Sequence, residues 1–182
     1  MEATPASLFS RLRRDDRHAM NELFELYYVP LCRFACAYVT LDEAEELVSD
    51  VFVGVWKARK TINIESSVRA YFYASVRYAC YRVISSKKIS TLSLDELEDV
   101  VDVVGARGAD DEVIFQETQS FVSSVVQHLP PKCRQVFIMN RYDSLSYKEI
   151  AEVMNISEKT VENQLVKALQ VIRANLLQFE KA

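Results

Sequence analysis

The chain of 182 residues is predicted to be all-α, with two small helical domains joined by an acidic linker, and three observations carry that expectation. Only 3 Gly and 4 Pro occur, so few positions break a helix from within. Apolar residues return at three- and four-residue steps over long stretches, the spacing of one helical face. A Ser or Thr stands three residues before a Glu at Thr40 with Glu43 and at Ser146 with Glu149, the reciprocal pairing that starts a helix. A hydrophobic content of 49% fills one or two cores in a chain of this length.

The first amphipathic segment runs from Met20 to Tyr38, with Leu23, Phe24, Leu26, Tyr27, Leu31, Phe34 and Ala35 on its expected core stripe. The Thr40 and Glu43 box opens a second helix, whose expected buried face is Ala44, Leu47, Val48, Val51, Phe52 and Val55, with Trp56 at the margin. Its polar side keeps Glu43, Glu46, Ser49 and Asp50. Glu46 and Asp50 are four apart, so two like charges share one face. That acidic ridge is either solvated surface or a docking surface for a basic partner. A third helix, Val68 to Lys88, interleaves arginines with aromatics. Phe72, Val76, Ala79, Cys80 and Val83 are expected inside, and Arg77, Tyr78, Tyr81, Arg82 and Lys88 nearer the surface. Aromatic faces beside arginines suit unstacked bases and a single-strand backbone; the same pattern suits a tyrosine-rich core helix with snorkelling cations.

Charge divides the chain. Its net charge is −4, yet from Ser66 to Leu94 no acidic residue occurs, and Arg69, Arg77, Arg82, Lys87 and Lys88 are all positive. Asp95, Glu96, Glu98, Asp99, Asp102, Asp110, Asp111 and Glu112 then crowd a segment that also holds Gly105 and Gly108. This reads as a flexible acidic linker over 91–113 between a domain at 8–90 and another at 114–180. It is either a solubilising tether or a mask for the basic surface.

From Ser146 to Leu169 the spacing builds two short helices around one tight turn, a helix-turn-helix, which points to DNA. Ser146 and Glu149 start the first helix, and Ile150, Val153 and Met154 form its stripe. Ala151 permits a close crossing, and Asn155 stands where the turn needs a positive φ. Ser157 caps the second helix, whose expected buried face is Val161, Leu165, Ala168, Leu169, Ile172 and Leu176. Lys159, Thr160, Asn163 and Lys167 lie opposite, with polar and cationic groups suited to a major groove. An amphipathic helix pair with a solvated outer face has the same pattern.

Several classes of function lose support. Cys32, Cys36, Cys80 and Cys133 have no zinc-ribbon spacing, and Cys32 and Cys36 lie one turn apart among apolar neighbours, where packing is the simpler role. His18 and His128 join no catalytic constellation, and the paired carboxylates have no phosphate loop or histidine beside them. The expectation is therefore no catalytic residue, no metal and no cofactor. No apolar run is long enough to span a membrane, and Met1 to Asp16 lacks a signal-peptide core, so the protein is expected in the cytoplasm without membrane insertion.

The ordered series Phe24, Leu26 to Tyr28, Leu31 to Ala35, Ala44 to Phe52, Trp56, Ala70 to Tyr73, Leu129 with Pro130, Arg134 to Phe137 and the helix-turn-helix resembles a bacterial RNA polymerase sigma factor of the extracytoplasmic-function type. The resemblance implies that the Ala44 to Phe52 helix binds the clamp helices of the polymerase β′ subunit, through Glu46, Asp50 and Phe52. It further implies that Arg69, Tyr71, Arg77, Tyr78 and Arg82 lie at or near the non-template strand of the minus-ten element. Lys159, Thr160, Asn163 and Lys167 are implied at the minus-thirty-five element, with the β flap as a neighbour. Core RNA polymerase, promoter DNA and an anti-sigma factor are the partners it implies, and the chain would not itself be an enzyme. Tyr78 stands where many relatives carry Asn, Tyr81 near a common Asp, Glu46 for Asp, Ser49 for Gln and Asn155 for a turn Gly. A helix-turn-helix regulator acting without replacing the polymerase's sigma subunit is the alternative function.

Overall fold

The computed structural model describes residues 4–64, 67–87 and 124–179. The expected linker over 91–113 and Lys88 lie outside the described residues. Among the described residues every regular element is a helix.

Helix α1 (Pro5–Leu12) starts with Thr4 capping the Ser7 amide at 3.3 Å and with proline at its first position, where no amide hydrogen is needed. α2 (Arg17–Ala35) is capped by Asp16, which accepts from the His18 and Ala19 amides at 2.9 and 3.3 Å. Between them Asp15 turns the chain with φ 67°, and its carboxylate takes Arg59 and Lys60 from the far end of α3. α3 (Leu41–Ala58) opens on the expected box: the Glu43 carboxylate accepts from the Thr40 amide at 3.1 Å and from its hydroxyl at 2.9 Å.

α4 (Val68–Lys87) lies against α1, α2 and α3. Rings from three helices meet there: Phe72 sits 5.5 Å from Tyr27 and 4.9 Å from Phe52, centroid to centroid, while Phe34 meets Tyr73 at 5.1 Å and Tyr38 meets Tyr81 at 5.6 Å. Such offset and edge-on pairs add attraction beyond the apolar area they bury. α5 (Pro131–Arg141), α6 (Tyr147–Met154) and α7 (Glu158–Phe179) form the C-terminal unit, with α7 packed on α5 and α6. One continuous core joins both halves, because α4 also packs broadly on α6.

Most expected core positions are buried, and five placements differ. Phe24, Leu26 and Leu169 are exposed, at 40%, 50% and 56%. Arg77 and Tyr81, expected near the surface, are buried because α4 is covered on two sides, by α2 and α3 and by α6. Leu47, Val51, Ala79, Val83 and Leu176 are half-buried.

Gly54 stands mid-helix on the exposed face of α3, and a Cβ added there would meet nothing within 4 Å. Glycine weakens a helix by its backbone freedom, so Gly54→Ala is expected to raise stability by about 0.5–1 kcal/mol, read as a higher denaturant midpoint at unchanged slope.

Candidate nucleic-acid interface

The helix-turn-helix is built as its sequence implied. The Ser146 amide and hydroxyl donate to the Glu149 carboxylate at 2.9 and 2.8 Å, and the Glu149 amide returns a bond to the Ser146 hydroxyl at 3.3 Å. Asn155 ends α6 in the left-handed conformation, φ 55° and ψ 46°, which asparagine tolerates better than most side chains. Its amide and that of Ile156 close the last turn on the carbonyls of Glu152 and Ala151 at 3.3 and 3.0 Å. Ser157 then accepts from the Thr160 amide at 3.0 Å, which aims the start of α7 outward. Val161, Leu165, Ala168 and Ile172 bury the opposite stripe.

On the outer face of α7, Asn163 and Lys167 are exposed. Lys159 is exposed too, and bonds Glu162 one turn on at 2.6 Å. An ion pair so open to water contributes little, so the ammonium is easily released to a phosphate. The Thr160 hydroxyl pairs with that of Ser157 at 2.8 Å and is half-buried. The four expected groove residues thus lie in the N-terminal half of α7, with Thr160 partly committed to the cap.

α4 divides its expected set. Tyr78 is 60% exposed and Arg82 is exposed one turn away, a ring and a guanidinium side by side on solvent. Tyr71 is half-buried against Phe72. Arg69 and Arg77 turn the other way, towards α6. Arg69 forks onto both oxygens of Glu149, with Nη2 at 2.9 and 3.1 Å and Nε at 3.2 Å. Arg77 is only 7% exposed; its Nη1 donates to the Val153 carbonyl at 3.4 Å, and its guanidinium lies 4.7 Å over the Tyr81 ring.

Glu149 shows the strength of that environment. Burial works against its ionisation, but the bonds from Ser67, Arg69 and Ser146 outweigh burial and hold its pKa down at about 2. The neighbouring Asp143 is the reverse case. Burial pushes its carboxyl up to about 6, against the Tyr73 hydroxyl and the charges of Arg33 and Arg69.

α3 presents the acidic ridge. Glu46 and Asp50 are both exposed on one face, and Val53, 48% exposed, continues that face one turn on. Phe52 is buried instead, wedged between Phe24 at 4.9 Å and Phe72 at 4.9 Å. Its ring supports the partly exposed Phe24, which stacks on Tyr28 at 4.4 Å.

Burial raises the thiols of Cys32 and Cys36, and pushes Cys80 up to about 12, so all three stay protonated near neutral pH. Among the described residues no group of His, Cys, Asp and Glu side chains could hold a metal ion, and no helix is long and apolar enough to cross a membrane.

Two family descriptions match in order on this frame: "Sigma-70 region 2" over residues 23–89, which takes in α3 and α4, and "Sigma-70, region 4" over residues 122–172, which takes in the helix-turn-helix. The chain belongs to the sigma-70 family of RNA polymerase sigma factors, in the extracytoplasmic-function group. This sigma factor is 23% identical over 180 residues to the ECF RNA polymerase sigma-E factor of Escherichia coli K12, covering 94% of this chain and 93% of the relative. It is 21% identical over 178 residues to the Haemophilus influenzae protein of the same name, covering 94% of each. Its fold matches CnrH in the complex with the cytosolic domain of CnrY, with TM-score 0.65, 18% identity and coverage of 96% and 97% of the two chains. It also matches the sigma factor RpoE of Bartonella quintana in complex with the anti-sigma factor NepR, with TM-score 0.62, 18% identity and coverage of 86% and 95%.

The sigma factor directs promoter-specific initiation of transcription. Its residues Val53 and Asp143 escaped notice in the sequence, and Phe24 was expected in the core. The exposure of Phe24 and Val53 depends on how α2 and α3 pack. Asp143 had a signal, an acidic residue before an expected helix cap, but nothing in the sequence told that its carboxyl would be buried.

Proposed function

We propose that the sigma factor holds core RNA polymerase through α3 and reads its promoter at two points, the minus-ten non-template strand through α4 and the minus-thirty-five duplex through α7. The observation that carries this reading is the separation of two surfaces of opposite character. α3 leaves Glu46 and Asp50 open beside the apolar Val53, whereas α7 turns Lys159, Asn163 and Lys167 outward. An acidic, partly apolar ridge cannot serve DNA, whose phosphates repel it; it suits the basic clamp helices of the β′ subunit. Phe52 acts from beneath, by propping Phe24. The β flap lies beside α7.

Opening the duplex needs no bond chemistry from this chain. Capture of unpaired bases by α4 shifts the melting equilibrium, and the sigma factor is not an enzyme. A net charge of −4 is tolerable because polymerase supplies much of the hold on DNA. The protein works in the bacterial cytoplasm, and an anti-sigma factor, like the partners that accompany the matched structures, restrains it.

The test joins the chain to core polymerase and a promoter library, with start sites mapped. Promoter-specific starts are expected. Glu46→Lys combined with Asp50→Lys should weaken core binding by about tenfold or more, since two pairings become two repulsions, while heat stability holds because both side chains are exposed. Unchanged core binding would refute the α3 assignment. Absence of starts, with a control sigma factor active, would refute the whole reading.

A further inference from the structure

Two of the three arginines assigned to the promoter strand, Arg69 and Arg77, are occupied in the free chain. Arg69 and Arg77 are eight residues apart, or about 12 Å along α4. α6 is 8 residues long, so it spans about the same distance. Arg69 takes the N-terminal end of α6 and Arg77 its C-terminal end, and the two helices run side by side in the same direction. At the first end the Glu149 carboxylate caps α6 through Ser146, and also receives the Arg69 fork and the Ser67 hydroxyl at 2.6 Å. Arg69 Nη1 reaches the Asp143 carbonyl at 3.5 Å. At the second end Arg77 donates to Val153, one of the carbonyls that a helix C-terminus leaves over and that attract cations.

These contacts have a specific chemistry. A guanidinium forked onto a carboxylate presents to Glu149 the same two-point geometry that it presents to a phosphate. Glu149 keeps only 14% of its side-chain surface and Arg69 32%, so this pair is screened less than an open one. A carboxylate seated in the fork and a DNA phosphate seated there exclude one another.

We propose that α4 clasps α6 end to end and thereby holds the free sigma factor closed, with Glu149 and the Val153 carbonyl standing in for promoter-strand phosphates. The strand and the helix-turn-helix compete for the same two arginines. Release of α6 exposes α4 and at the same time frees the helix-turn-helix to reach an element upstream. The clasp is a contact within the chain and stands on the geometry alone; its consequence for DNA rests on the reading of α4 proposed above.

Glu149→Gln separates the capping role from the clasp. Glutamine at this position still caps a helix but brings no charge to Arg69. Arg69→Gln removes the other partner and leaves the cap intact. In the full chain, fluorophores placed on the exposed residues Glu45 and Gln170 report domain separation by single-molecule energy transfer. Both variants are expected to raise the separated population by about tenfold, the equivalent of about 1.4 kcal/mol. Binding of a labelled non-template minus-ten oligonucleotide to free Glu149→Gln should tighten by a similar factor, because apparent affinity scales with the open fraction. Unchanged separation in both variants, with helix content retained, would overturn the clasp. Separation without tighter oligonucleotide binding would overturn the competition with DNA, and would count against the α4 assignment rather than against the clasp.

Discussion

Phe72→Ala is expected to destabilise the sigma factor by about 3–5 kcal/mol, a large share of the roughly 5–15 kcal/mol that a domain possesses. Phe72 is fully buried, and it is the ring on which α2, α3 and α4 converge, touching Tyr27, Phe52 and Tyr71. Truncation removes the apolar surface it buries and leaves a cavity that three helices cannot close without moving. The edge-on and tilted ring contacts vanish as well. Because Phe52 leans on Phe72 and Phe24 leans on Phe52, the loss extends to the surface beside the acidic ridge. Denaturant unfolding measures the first effect, and core-polymerase binding the second. A cost below about 1 kcal/mol would mean that the aromatic cluster does not bear the N-terminal core.

Asp143→Asn is expected to do the opposite and stabilise the chain at neutral pH by about 1–3 kcal/mol. Asp143 follows α5 and lines a cleft of about 780 Å³ together with Glu22, Glu25, Tyr27, Arg33, Arg69 and Tyr73. Neither carboxyl oxygen has a well-formed hydrogen bond or contact with solvent. Burial therefore lifts its pKa from 3.8 to about 6, although the Tyr73 hydroxyl on α4 and the charges of Arg33 on α2 and Arg69 on α4 pull the other way. A carboxyl raised in this manner favours the folded chain while it is protonated. Its contribution is complete below pH 3.8 and is lost as pH rises through about 6.

Glu149 has the opposite sign. Its pKa falls from 4.5 to about 2, so its contribution is complete above pH 4.5 and is lost as pH falls through about 2. Between pH 4.5 and 7 the Asp143 effect is therefore left to dominate. The wild-type chain should lose stability across that window, and Asp143→Asn should flatten the profile. Stability that is level or rising from pH 4.5 to 7 in the wild type, or a variant less stable at pH 7, would contradict the assignment.

What could be read in advance follows from how locally each feature is determined. The boxes at Thr40 and Ser146 and the left-handed Asn155 depend on a few neighbouring residues, and the structure contains all three. The stripes of α2, α3 and α7 were legible because each of these helices buries one main face. α4 was not, because periodicity detects a single buried face and α4 buries two. Arg77 and Tyr81 were assigned to solvent for that reason, although Arg77 reaches the Val153 carbonyl of α6 and Tyr81 packs against Tyr38. Phe52 was assigned a contact with polymerase, and its packing between Phe24 and Phe72 makes it a support.

The sequence by itself determined the helix starts at Thr40, Ser146 and Ser157, the outward-facing residues of α7 and the acidic ridge of α3. Each of these depends on side chains within a turn or two of one another, where spacing and geometry are nearly the same thing. Only the tertiary structure decided what the arginines of α4 touch. Arg69 and Glu149 stand 80 residues apart, and no local rule links them. They meet because α4 and α6 each have apolar surface left over to bury. Packing those surfaces together carried two cations to the two ends of one short helix, and so set the partners of the residues expected to hold DNA.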